Sequence, residues 1–161
     1  MYDISKINEL VVSKAITGTT GQTIGKSIDL KKSGLDIGNG QDIFLAIDID
    51  TAFTGTTTAL SFDVVSTDTD PDAANTATPS TPLTPTVHIT GTVYAAIANL
   101  PGAGAAGNRI LAIQLPRGAY KRYLALRANF ATATPTTGKI NAYLTTEPNG
   151  WTALPQAVIG A

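Results

Sequence analysis

Alternation with a period of two most narrows what this chain can fold into. In Asp42-Ile43-Phe44-Leu45-Ala46-Ile47-Asp48-Ile49-Asp50, the residues Ile43, Leu45, Ile47 and Ile49 share one side, and the acids at 42, 48 and 50 share the other. That is the pattern of a strand with one dry and one wet face. The same test picks out Leu60, Phe62 and Val64; Leu111, Ile113 and Leu115; Leu124, Leu126, Ala128 and Phe130; and Ile140, Ala142 and Leu144. Three weaker runs are 9–16, 23–30 (Ile24, Ile28, Leu30) and 87–97 (Val87, Ile89, Val93, Ala95, Ile97). The total is about eight strands. Residues 5–15 also fit a short helix, but no segment holds a helical period for three turns. The breaks are Gly38-Asn39-Gly40, Thr54-Gly55, Pro101-Gly102, Pro116-Arg117-Gly118 and Thr134-Pro135-Thr136-Thr137-Gly138, all of turn composition. Short strands separated by turns predict an all-β, single-domain antiparallel β-sandwich over residues 1–161, and eight strands favour a jelly roll over a seven-stranded immunoglobulin-type sandwich. An N-terminal arm, 1–9, and a C-terminal tail, 152–161, lie outside the strong strand pattern.

Composition limits the chemistry. The 161 residues are 43% hydrophobic and only 14% charged, with a net charge of -1. About one residue in six is Thr, so hydroxyls and small side chains carry the surface. A chain with no basic excess is a poor counter-ion for phosphates, which argues against nucleic acid as a partner. With Cys 0, thiolate metal sites, redox dithiols and thiol nucleophiles are excluded together. No basic stretch followed by a long apolar run marks a secretory signal, and no apolar run is long enough to span a bilayer, so the expectation is a soluble protein without membrane contact.

The motifs that resemble catalytic or cofactor sites fail on physical grounds, and no cofactor or metal is expected. Gly102 to Gly107 match G-x-G-x-x-G, but Pro101 precedes them, a strand-like run follows, and the next acid is Glu147. A hairpin loop fits better than a dinucleotide site. Gly21-Gln22-Thr23-Ile24-Gly25-Lys26-Ser27 is one residue short of a phosphate-binding loop. Asp68, Asp70 and Asp72 are spaced like the start of a calcium loop, but Ala73 stands where a Gly should turn the chain and Pro79 where a closing Glu belongs. His88 alternates with Val87 and Ile89, which points it away from the core, and no G-x-S-x-G elbow accompanies it. Asp48 and Asp50 share a strand face, as paired carboxylates of a glycosidase would, and as any wet strand face does.

Tyr120, Tyr123 and Tyr143, with Trp151 near the C-terminus, are among the few aromatics, and Arg122 stands between the first two. Tyr, Trp and Arg are the types that anchor interfaces, so Tyr2, Tyr120, Arg122 and Trp151 are the candidate contact residues. From Ala73 to Asn108 no formally charged residue occurs, and Thr76 to Pro85 is a Pro/Thr-rich connection. Such a stretch is either a solvated loop or a segment ordered against a neighbouring subunit.

Taken in order, Gly40 to Gly55, the run ending near Ser66-Thr67-Asp68, Leu111-Ala112-Ile113-Gln114-Leu115-Pro116-Arg117-Gly118, Arg122 to Arg127 and Thr137 to Leu144 resemble the capsid cement, or decoration, proteins of tailed bacteriophages. The likeness covers roughly residues 20–152 and lies in order and spacing. It implies a jelly-roll virion protein on the outer surface of an icosahedral shell, made in the host cytoplasm. Its partners would be the major capsid protein, whose neighbouring subunits it bridges, and further copies of itself as a dimer or trimer at a symmetry axis. The resemblance supplies no catalytic residues. A carbohydrate-binding jelly-roll module is the alternative, resting on Asp48, Asp50 and Trp151, and a small glycosidase stands third.

Overall fold

The computed structural model describes residues 9–16, 21–33, 37, 42–71 and 86–146. Eight strands, β1 (Glu9–Ala15), β2 (Gln22–Asp29), β3 (Phe44–Thr54), β4 (Thr58–Thr67), β5 (Thr86–Thr90), β6 (Arg109–Gln114), β7 (Tyr123–Ala131) and β8 (Thr137–Thr145), build two antiparallel sheets. A single helical turn, α1 (Leu30–Ser33), follows β2, and two 3-10 turns at Ile97–Asn99 and Pro101–Gly104 precede β6. One sheet has the order β1-β8-β3-β6 and the other β2-β7-β4-β5. The pairs β1 with β8, β2 with β7, β3 with β6 and β4 with β5 are all hydrogen-bonded. The chain is therefore one long antiparallel ribbon rolled into a sandwich, the eight-stranded jelly roll.

The alternation read from the sequence places the core. Ile43, Leu45, Ile47 and Ile49 of the β3 run, Leu60, Phe62 and Val64 of β4, Leu124, Leu126 and Ala128 of β7, and Ile140, Ala142 and Leu144 of β8 all point between the sheets. Each large aliphatic side chain withdrawn this way contributes about 1.5–3 kcal/mol. Ile24 and Ile28 add the β2 side, with Leu30 packed partly against them.

Several expectations need correction. Residues 9–15 are a strand and not part of a helix. The run 87–97 is a strand only to Thr90 and then passes through an isolated bridge at Tyr94 into a 3-10 turn. Val87 and Val93 are consequently exposed, while Ile89 and Ile97 are buried. In β6 the parity is right, because Leu111 and Ile113 pair with the core residues Ile47 and Leu45. That strand lies at a sheet edge, however, and Ile113 remains 37% exposed, while an irregularity beside Arg109 turns Ile110 inward. β4 departs furthest from alternation, since every residue from Leu60 to Thr67 is buried, including Ser61, Asp63, Ser66 and Thr67. Gly102, Gly104 and Gly107 lie in turns with positive φ that lead into β6 with no helix after them, and Gly21 to Ser27 run into and along β2.

Candidate functional site

Every acid of the β3 run is engaged by a donor from elsewhere in the chain. On the outer face of the first sheet, Arg109 donates Nε to Asp48 Oδ1 at 2.8 Å and Nη2 to Oδ2 at 3.4 Å. The Tyr143 hydroxyl donates to Asp48 Oδ2 at 3.1 Å and accepts from Arg109 Nη2 at 3.0 Å. Register explains the cluster: Asp48 lies opposite Arg109 on one side and Asn141 on the other, two residues from Tyr143 on β8. The hydrogen bond to Asp48 holds the Arg109 pKa above its usual value, and burial beside Asp48 pushes the Tyr143 phenol up to about 12.

One turn of the pleat further on, Asp50 accepts from Ser13 Oγ at 2.8 Å, from Thr51 Oγ1 at 3.3 Å and from Asn141 Nδ2 at 3.4 Å. The Ser13 hydroxyl in particular holds its pKa below the ordinary carboxylate range. Asp42 accepts from Gln114 Nε2 at 2.7 Å and Arg117 Nη2 at 3.2 Å. Asp48 and Asp50 thus share a face, as expected, but both carboxylates already serve as acceptors within the sheet.

The second sheet carries a buried pair. Asp63 Oδ2 accepts from Arg127 Nη2 at 2.6 Å, from Arg127 Nε at 3.2 Å and from Asn129 Nδ2 at 2.7 Å. The Asp63 side chain is 4% exposed, and its Oδ1 is buried without a hydrogen-bond partner. At the rim, Arg122 forks onto Asp29 at 2.8 to 3.3 Å and lies over the Tyr123 ring, 4.9 Å from its centroid. The same fork lowers the Asp29 pKa and raises that of Arg122. Of the calcium-like acids, Asp68 pairs with Lys121 at 3.3 Å and Asp70 accepts from Ser27 Oγ at 2.7 Å, while Asp72 lies outside the described residues. These acids serve separate pairs, and the described residues contain no cluster of three or more His, Asp or Glu side chains able to hold a metal.

His88 is not turned outward. It is the extra residue in the β4–β5 register shift, between the pairs Val64 with Ile89 and Val65 with Val87. The bulge reverses its side, so its ring stacks on Tyr120 with centroids 4.0 Å apart, and Nε2 lies 2.7 Å from Ser66 Oγ. Ser66 Oγ also accepts the Lys121 N–H at 3.0 Å, and the Tyr120 hydroxyl donates to Pro116 O at 2.6 Å. The group ties β4, β5 and the β6–β7 connection together at one end of the sandwich. Burial pushes the Tyr120 phenol up to about 12 and lowers the His88 pKa.

That shift has a definite sign. A histidine whose folded pKa lies below 6.5 takes up its proton more readily in the unfolded chain. Its contribution to stability is full above pH 6.5 and is lost as pH falls through the folded value. Asp29 and Asp50, depressed from 3.8, act in a separate and more acidic window. Thermal melts from pH 7.5 to 3 are expected to show a first loss below pH 6.5 that His88→Gln removes, leaving the acidic loss in place.

Of the sequence candidates for contact, Tyr120 and Arg122 are thus placed in internal stacking and pairing, and Tyr2 and Trp151 lie outside the described residues, as does the Pro/Thr-rich connection. Exposed apolar side chains mark a different region. Val87 (42%), Val93 (59%) and Ile113 (37%) belong to the side formed by β5, β6 and the segment between them, and Val12 (60%) to β1. A depression there, lined by Phe62, Gly91, Thr92, Tyr94, Ile110 and Leu111, leaves no room for a water molecule. Long-range pairing and register, absent from local sequence, decide which of these side chains stay exposed. The fold and side chains define an eight-stranded jelly roll with internally paired acids on both sheets and three exposed apolar side chains on the β5–β6 side. No model of a known protein family and no curated protein matches the chain.

Proposed function

We propose that this chain is a non-enzymatic structural protein that attaches to other protein subunits through its sheet edges. In its specific form, the reading is a decoration protein that cements the outer surface of an icosahedral phage capsid by bridging neighbouring major capsid subunits. The observation that carries the attachment reading is the location of exposed apolar surface on the β5–β6 side, while the acids of both sheet faces are engaged within the chain. A side with exposed valine and isoleucine and few charges has a low desolvation cost on association. The capsid itself rests on the ordered resemblance of residues 20–152. The mechanism is mass action: a ligand that binds only the expanded shell stabilises it, by about 2.7 kcal/mol per site at a hundredfold excess over Kd, and many copies act together.

Purified protein mixed with undecorated expanded capsids is expected to bind to saturation and to raise their temperature of rupture. Absence of binding sinks the capsid reading. No saturable sugar binding is expected on a glycan array, because Asp48 and Asp50, on which the carbohydrate alternative rests together with Trp151, are both occupied by protein donors.

A further inference from the structure

We propose that His88 and Ser66 form a proton-sensitive latch, which holds residues 116–121 of the β6–β7 connection against β4 and β5 and releases them in weak acid. The inference stands apart from the capsid reading and rests on how that connection is fastened. Its two ends are tied without His88. Leu115 is buried and donates its N–H to Ile43 O at 2.8 Å. At the other end Arg122 O accepts the Leu30 N–H at 2.9 Å, and the Arg122 guanidinium forks onto Asp29.

Between those ends the ionic ties are weak. Arg117 with Asp42 and Lys121 with Asp68 each have a well-exposed carboxylate, and pairs of that kind contribute little. What fastens the middle to the strands is the Tyr120 ring, stacked on His88, and the Lys121 N–H, given to Ser66 Oγ. The Tyr120 hydroxyl donates back to Pro116 O, so the segment is also closed on itself and moves as one piece.

Both fastenings meet at one hydroxyl. Ser66 is fully buried, and its Oγ accepts the Lys121 N–H at 3.0 Å, which leaves its own hydrogen for His88 Nε2 at 2.7 Å. That arrangement requires a neutral imidazole with its proton on Nδ1. Protonating Nε2 makes both groups donors, and the Ser66 hydroxyl must turn its hydrogen away. It then either gives up the Lys121 N–H or aims that hydrogen into a dry place, since no third partner faces it among the described residues. The Tyr120 face tolerates a cation; the hydroxyl hydrogen is what has no second home.

The neighbouring charges give the imidazolium no relief. Lys121 is itself a cation and Asp68 is committed to it. Tyr120 stays neutral, its phenol pushed up to about 12. The acid of β4, Asp63, is held by Arg127, and β5 has no charge besides His88. Burial accordingly lowers the His88 pKa, so the latch is fully closed above pH 6.5 and loosens as pH falls through the folded value. With both ends still tied, the opening is local.

Amide hydrogen exchange followed by NMR and corrected for the intrinsic rate at each pH tests the latch, with the ring protons of His88, the chain's one histidine, titrated in the same samples. From about pH 7.5 to about pH 5, protection of the Lys121 N–H is expected to fall at least about threefold in step with the His88 titration. The Leu115, Leu30 and Gly91 N–H groups, which donate to Ile43, Arg122 and Phe62, are expected to keep theirs. His88→Gln cannot titrate and is expected to abolish the pH dependence, and Ser66→Ala to leave Lys121 poorly protected at both pH values. Protection of Lys121 that ignores the His88 titration overturns the proposal, as does a fall that persists in His88→Gln. A fall shared by Leu115 and Gly91 overturns it too, because the sandwich would then be opening as a whole.

Discussion

Gly25→Ala is expected to cost about 2–5 kcal/mol and to lower the melting temperature by roughly 4–20 °C. Gly25 sits in β2 at φ +77, inside the register shift that separates Ile24 from Ile28. A Cβ there would collide with Leu10 O and lie 2.7 Å from Val11 Cγ2. The first atom is backbone of β1, packed at the other side of the sandwich, and it cannot swing aside. Two terms add: about 1–2 kcal/mol for a left-handed backbone with a side chain, and about 1–3 for an overpacked contact. Gly107→Ala separates them. Gly107 is at φ +84 with nothing near its would-be Cβ, so that variant bears the backbone cost alone. Thermal and urea unfolding should show the Gly25 variant losing at least twice as much as the Gly107 variant. Equal losses would mean that β1 and β2 do not approach as closely as described.

The same contact shows what local pattern can and cannot convey. The core face of β3, β7 and β8 announces itself, and its parity is right at nearly every position, although Ala46, Ala125 and Tyr143 on the opposite side are buried as well. Edge strands do so less well. Ile113 has the parity of a core residue and stays partly exposed because β6 has a neighbour on one side only. Bulges are invisible to a period-two test, so alternation alone points His88 outward and Val87 inward, whereas the β4–β5 bulge leaves Val87 exposed and seats His88 against Tyr120. The polar partnerships were the least legible. Asp48 and Arg109 are 61 positions apart, Asp63 and Arg127 are 64 apart, and Asp29 and Arg122 are 93 apart. The rolled ribbon brings each pair together, so only an opposite-charge match across the nested strand pairs could have signalled them.

Asp63→Ala is the second large effect. Its removal leaves the half-buried Arg127 guanidinium and Asn129 amide without their shared acceptor. Breaking a buried pair from one side typically costs about 3–5 kcal/mol. Arg127 keeps 22% of its side chain in solvent and can turn partly to water, so the lower end, about 3 kcal/mol, is expected. The intact pair is worth far less than that figure suggests. Asp63 is itself withdrawn from water, and its Oδ1 finds no donor, a penalty of about 1–3 kcal/mol set against the three bonds that Oδ2 accepts. Replacing both partners with β-branched apolar residues removes the penalty along with the ion pair and leaves only the half-buried Asn129 amide to turn to water. The double variant Asp63→Val with Arg127→Val is therefore expected to return to within about 1 kcal/mol of the parent, and a double-mutant cycle to give a coupling of about 2 kcal/mol. Additive losses in the double variant would instead make each residue stabilise the sheet independently. Recovery would assign the pair a role in strand register: a charged couple that can be satisfied only when Asp63 lies opposite Arg127 excludes the one-residue slips that an all-apolar β4–β7 ladder would tolerate.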